Sequence, residues 1–154
     1  MSISAASGSK LYIGSAGESE NLSQFLADAF VEVGELEDLG EFGDESEQVT
    51  FASLSDGRIR KLKGTRDAGT MPVTVGSDMT DTGQIAMEDA EASPLNFQFK
   101  VVLNDQLTIS GDPSEHYFFG KVMSKRVNVG TANNVVRRAF SVDIDSAIIS
   151  VDPT

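Results

Sequence analysis

The sequence predicts a mainly β domain, an antiparallel sandwich or barrel with one flanking α-helix. Apolar residues alternate with period two along most segments. Turn-forming residues separate those segments, and a single stretch shows helical spacing behind a capping pattern. The 154 residues, 40% of them hydrophobic, fit one domain spanning 1–154 with a real core. No fixed-period repeat and no Pro-rich or Gly/Ser linker marks a domain boundary.

The clearest strand is FQFKVVL, where Phe97, Phe99, Val101 and Leu103 share one face and Gln98 and Lys100 the other. In NVVRRAFSVDID, Val136, Phe140, Val142 and Ile144 align, with Arg137, Ser141 and Asp143 opposite. Met71, Val73 and Val75 align in MPVTVG. The segment HYFFGKVMSKRVNV is apolar on both faces: Tyr117, Phe119, Met123, Val127 and Val129 on one, Phe118 and Val122 on the other. Such a strand is covered on both sides or meets a neighbouring chain. Asp56-Gly57 predicts a hairpin between VTFAS and RIRKLKG, and Asp67-Ala68-Gly69 turns the chain again. Breaks are expected at Asn104-Asp105 and Gly111-Asp112-Pro113, giving roughly eight strands.

The helix is expected in TDTGQIAMEDAEAS. Asp81 is its N-cap, Gln84 completes a capping-box pattern, Ile85, Ala86 and Ala90 form the apolar stripe, and Pro94 ends the run. A shorter helix fits NLSQFLADAF, with a strand starting at FVEVG.

Charge is segregated. Twenty-four acidic residues stand against twelve basic ones, a formal net charge of −12 that disfavours ordinary nucleic-acid binding. No basic residue occurs between Lys10 and Arg58, an interval holding twelve acidic residues. A long inter-strand loop is expected at about 35–47, carrying Glu35, Asp38, Glu41, Asp44, Glu45 and Glu47, with Leu36, Leu39 and Phe42 as apolar points within it. Arg58, Arg60, Lys61, Lys63 and Arg66 follow within nine positions. Either the two runs are solvated faces of one hairpin, or they are complementary surfaces on different subunits. A head-to-tail contact between unlike patches repeats into rings or filaments.

Catalytic constellations are missing. His116 is the one histidine and cysteine is absent, so no thiolate metal site or disulfide forms and no Cys/His system exists. Tryptophan is absent and tyrosine occurs twice, a poor supply for a sugar cleft built around paired carboxylates. Asp143 and Asp145 read as a solvated strand face, and no Gly-rich phosphate loop is present. The opening MSISAASGSKLYIG has no basic segment before an apolar run, so no signal peptide is expected. No stretch approaches the roughly 18 apolar residues of a membrane helix.

Three blocks, in order, resemble the major tail tube protein of long-tailed bacteriophages (siphophages). They are FVEVGELEDLGEFGDESEQVTFASLSDGRIRKLKGTRDAGTMPVTVG, FKVVLND and GKVMSKRVNVGTANNVVRRAFSVDIDS, with KGTRDAGT and NVVRR followed by an aromatic the most specific parts. The resemblance covers about residues 30–146. It implies a β-sandwich with a flanking helix, as in type VI secretion tube proteins. Six copies close into a ring whose strands line a lumen, and a long early loop, here about Glu35 to Glu47, reaches the adjacent ring. It also implies a virion protein assembled in the bacterial cytoplasm, with itself, tape-measure and tail terminator or initiator proteins as partners. DNA passes through without specific binding, and no cofactor, metal, membrane or catalytic motif is involved. The alternative is a carbohydrate- or receptor-binding β-sandwich of a fibre or decoration type.

Overall fold

The computed structural model describes residues 3–154. Its chain order is β1 (Lys10–Ala16), α1 (Leu22–Leu26), β2 (Val31–Glu32), β3 (Leu36–Asp38), β4 (Glu45–Ala52), β5 (Ile59–Asp67), β6 (Thr70–Gly76), α2 (Thr82–Ala92), β7 (Phe97–Val102), β8 (Glu115–Asn128), β9 (Arg137–Ile144) and β10 (Ile149–Val151). The mainly β architecture with a flanking helix is as the sequence predicts. Ten strands replace the expected eight among the described residues. β2, β3 and β10 run two or three residues each, too short to show a period.

One sheet orders its strands β2-β1-β7-β8-β9-β6-β3, all pairs antiparallel, with β10 added to the start of β8. Its two end strands are nearly adjacent in sequence. Four Cα steps separate Glu32 from Leu36, a reach of at most about 14 Å. Val33 N–H donates to Leu11 C=O at 2.8 Å, extending β2 along β1. Gly76 N–H donates to Glu35 C=O at 2.8 Å, extending β3 along β6. Gly34 alone bridges the two edges, so the sheet curls almost into a closed barrel.

The barrel interior is the core. Leu11, Ile13, Met71, Val73, Val75, Phe99, Val101, Phe118, Phe140 and Val142 are buried there, in the alternation the sequence shows. β8 serves both halves of the barrel: Glu115–Gly120 pair with β7, and Gly120–Asn128 pair with β9, interrupted by a bulge at Val122/Ser124. The bulge shifts the phase, so the apolar residues expected on one face part: Tyr117 lies opposite Lys100 and Val127 opposite the buried Arg138. Tyr117 is buried under Phe25 of α1, ring centroids 5.7 Å apart, whereas Met123, Val127 and Val129 stay exposed.

α2 seals the seam between β2 and β3. Asp81 is its N-cap and accepts from Gln84 N–H at 2.9 Å. Its other function is across the seam, taking Gly34 N–H on the same oxygen at 2.9 Å. The Gln84 amide closes no capping box. It is buried, donating to Gly34 C=O at 3.0 Å and Gly76 C=O at 2.8 Å, and accepting from Asp78 N–H at 3.0 Å. The buried stripe is Gly83, Gln84, Met87 and Ala90, while the expected Ile85 is exposed. The helix is rotated because its first turn must serve the seam. Gly83 permits this: a Cβ there would lie 2.1 Å from Glu32 O.

Arg138 completes the seal from β9. It is 2% exposed, in phase with Phe140, and donates through Nη2 to Gln84 Oε1 and through Nη1 to Glu88. The supposedly polar side of β7 is likewise covered: Gln98 is buried and donates to Asp28 at 2.8 Å beneath α1.

Candidate assembly interface

β4 and β5 leave the barrel as a separate two-stranded sheet. Asp56-Gly57 makes the tip, with Gly57 at φ 62° and its N–H on Ser53 C=O at 2.9 Å. Nearly every residue of this arm is exposed. Pairing of Val49 with Leu62 and Phe51 with Arg60 places Val49, Phe51 and Leu62 on one face, 47%, 62% and 62% exposed. Gln48 pairs with Lys63, Thr50 with Lys61 and Ala52 with Ile59 on the other. An isolated two-stranded hairpin is marginal in water. An apolar stripe on one is a surface waiting for cover: each such side chain gains roughly 1.5–3 kcal/mol on full burial.

The segment expected as a free loop at 35–47 is largely tied down. Glu35 turns the corner at φ 55°, Leu36 pairs with Val75 and Asp38 with Thr74 in β3, and Glu45 and Glu47 already belong to β4. Leu36, Leu39 and Phe42 pack on the chain's own core; Phe42 lies edge-on to His116, centroids 5.5 Å apart. Residues 36–44 thus form a strap that begins as β3 and packs on the core, held down by three regularly placed apolar side chains. Glu41 is exposed. The projecting element is the arm, some ten residues later than the loop read from sequence.

Among the described residues, one ion pair joins the acidic segment 35–47 to the basic run, Arg66 donating to Asp44 at 2.9 Å, while Glu45 and Glu47 lie in β4 alongside β5. Arg60 pairs with Asp56 at 2.7 Å, and Glu37 with Arg137. Among the described residues, Arg58, Lys61 and Lys63 have no ion pair within the chain. The arm carries five of the twelve basic residues and four of the twenty-four acidic ones, Glu45, Glu47, Asp56 and Asp67, so it is net positive on a net negative chain.

The second open surface is the outer face of β6, β9 and the far half of β8. Cross-strand rows run Thr70–Asp143–Lys121, Pro72–Ser141–Ser124 and Thr74–Ala139–Arg126. Hydroxyls and small side chains dominate, and Thr70 donates to Asp143 at 2.6 Å. Lys121 donates to Asp145 at 3.1 Å and to Asn96 at 2.9 Å; Asn96 Nδ2 also donates to Asp145 at 3.1 Å, and this bond first, then Lys121, keeps the Asp145 carboxyl below its ordinary pKa. Part of each flank lacks a strand partner among the described residues: β8 beyond Gly120 pairs only with β9, and β3 pairs with β6 at Thr74 and Val75 and reaches Gly76 through Glu35. Free edges on opposite flanks suit addition of further copies side by side.

The hairpin between VTFAS and RIRKLKG is legible from Asp56-Gly57, but no local signal says that its sheet has two strands or that Val49, Phe51 and Leu62 stay uncovered. Buried Arg138 announces itself only by falling in phase with Phe140. Among the described residues, no group of three or more His, Asp or Glu is placed to hold a metal ion, and no helix is long and apolar enough to cross a membrane.

No described protein family matches the chain, and no curated protein matches it. Solved structures do. A component of the anti-feeding prophage baseplate, solved with six-fold symmetry, superposes with TM-score 0.73 at 11% identity, over 99% of this chain and 98% of that one. The sheath/tube terminator of the extracellular contractile injection system PVC gives 0.66 at 11% identity, over 97% and 96%. The SPP1 tail tube gives 0.62 at 15% identity, over 93% and 77%. At such identities the likeness is one of fold: the chain has the tail-tube fold, a class shared by phage tails and contractile injection systems.

Proposed function

We propose that this chain is the repeating structural subunit of a phage tail tube, acting by self-assembly and not by catalysis. The observation that carries this function is the β4–β5 arm, exposed on both faces yet striped with Val49, Phe51 and Leu62. The tail-tube fold supports it. Copies join side by side through the free flanks of β8 and β6 into rings of six, and rings stack through the arm. Arg58, Lys61 and Lys63 of the arm face carboxylates of the acidic segment, Glu35, Asp38 and Glu41, on an adjacent copy. Such contacts fix register more than they add affinity. The outer face of β6, β9 and β8 lines the channel. Its hydroxyls and paired charges offer phosphates few free cations, so DNA slides through without being trapped. The partners are further copies of the chain, a tape-measure protein inside and terminator or initiator proteins at the ends. The site of action is the virion tail, after assembly in the host cytoplasm.

Electron microscopy of the purified protein, with tail-initiator and tape-measure proteins supplied, tests this. Tubes of stacked rings are the expected result. Protein that stays monomeric at high concentration under those conditions refutes the function.

A further inference from the structure

The strap leaves a groove of about 450 Å³ between itself and the N-terminal segment. Its apolar floor is Leu36, Leu39, Phe42 and Leu103, all half-buried; Ser7 and Asp38 stand on its walls. Glu41, exposed, lies between the lining residues Gly40 and Phe42. No described residue fills this floor, although all four of its side chains also pack against the core.

The arm tip has the opposite shape and charge. Leu54 is 103% exposed, flanked by Ser53 and Ser55. Arg58, four residues on, has no ion pair among the described residues. The tip does not reach its own groove. β4 runs eight residues away from the strap's end, about 27 Å at ~3.4 Å per residue.

We propose that the Leu54 tip of one copy seats in the groove between strap and N-terminal segment of a second copy, with Arg58 against Asp38. This rests on the tube function above and specifies its stacking contact. Shape points to the occupant: Leu54 is an apolar knob at the tip of a projecting arm, and the groove has an apolar floor with room for it and its flanking residues. Charge points the same way, since the net-positive arm belongs to a chain whose strap is acidic. Knob and groove are different patches, so the contact is head-to-tail and repeats from copy to copy. It also explains why the strap is held to the core: a preformed groove takes the tip without an ordering cost of its own.

The chain has no cysteine, so introduced thiols are the only ones. Ser7→Cys and Leu54→Cys, both at exposed positions, are combined in one chain and the assembled protein is mildly oxidised. The expected result on a non-reducing gel is a ladder extending past the dimer, where either single variant stops at dimers. Arg58→Glu should remove the ladder, and Arg58→Glu with Asp38→Lys should restore it. Tubes seen by electron microscopy without a ladder overturn the groove contact and leave the tube function standing. A disulfide formed inside single chains also overturns it. Failure of the unmodified protein to assemble at all removes both.

Discussion

Arg138 Nη2 donates to Gln84 Oε1 at 2.6 Å inside the barrel, joining β9 to the first turn of α2. Through its amide nitrogen the same Gln84 holds Gly34 and Gly76, the backbone on either side of the seam. Two side chains thereby close a barrel whose strands do not close it themselves.

Gln84→Leu keeps the volume and removes every one of these bonds. It strands two carbonyls and one N–H away from water, each costing about 1–3 kcal/mol, and takes one partner from Arg138, which keeps Glu88 and the Asp78 carbonyl. A loss of roughly 3–5 kcal/mol is expected in chemical denaturation, similar to breaking a buried ion pair. Arg138→Met should cost less than Arg138→Ala, because it leaves no cavity and only Glu88, a quarter exposed, must find water.

Gly83→Ala should destabilise although alanine favours helices. Its Cβ meets Glu32 O and the Val33 Cα at 2.1 and 2.5 Å, so α2 must lift off the seam. A loss of about 1–3 kcal/mol is the usual range for overpacking. An unchanged Tm would mean the helix does not lie as described.

His116 makes stability pH-dependent. Burial depresses its pKa below the ordinary 6.5, partly opposed by Asp105. The neutral ring is therefore favoured in the folded state, where Nδ1 meets Ser150 Oγ at 2.8 Å and ties β10 to β8. Its contribution is complete above pH 6.5 and is lost as pH falls through the depressed folded value. His116→Asn should flatten Tm against pH just below 6.5. A further loss should survive in that variant below the ordinary carboxylate value of 3.8. Asp105 and Asp78 are both held below it, by Ser114 and by Thr80 respectively.

Replacing Val49, Phe51 and Leu62 together by Ser should leave the monomer's Tm nearly unchanged, since exposed positions usually shift stability by under about 0.5 kcal/mol each. Assembly should be abolished. Sedimentation and electron microscopy of the same preparation separate the two effects. Tubes of normal length would show that the stripe is not an interface.

Reversal of Arg58, Lys61 and Lys63 to Glu should weaken assembly, and raised salt should weaken assembly of the unaltered chain, because exposed charge contacts are screened within about 8–10 Å. Salt-independent tubes would assign the basic run to solvent.

Much of this protein is readable along the chain. Period-two alternation at Met71-Val73-Val75 and Phe140-Val142-Ile144 locates core strands, because a strand with one buried face has no other pattern available. Asp56-Gly57, Asp67-Ala68-Gly69 and Asp81 locate turns and a cap through local backbone chemistry. The charge segregation is likewise linear information. What tertiary structure alone decided is which faces meet. The strap is held down because Leu36, Leu39 and Phe42 find the core, whereas the equally alternating Val49 and Phe51 find no second layer and project. Ile85 faces solvent and Gln84 faces inward because the seam needs an amide there, a demand set by residues about fifty positions away. Local sequence fixes which residues form strands, turns and caps. Only closure of the barrel fixes which of those elements have partners, since partnership depends on contacts that no short segment contains.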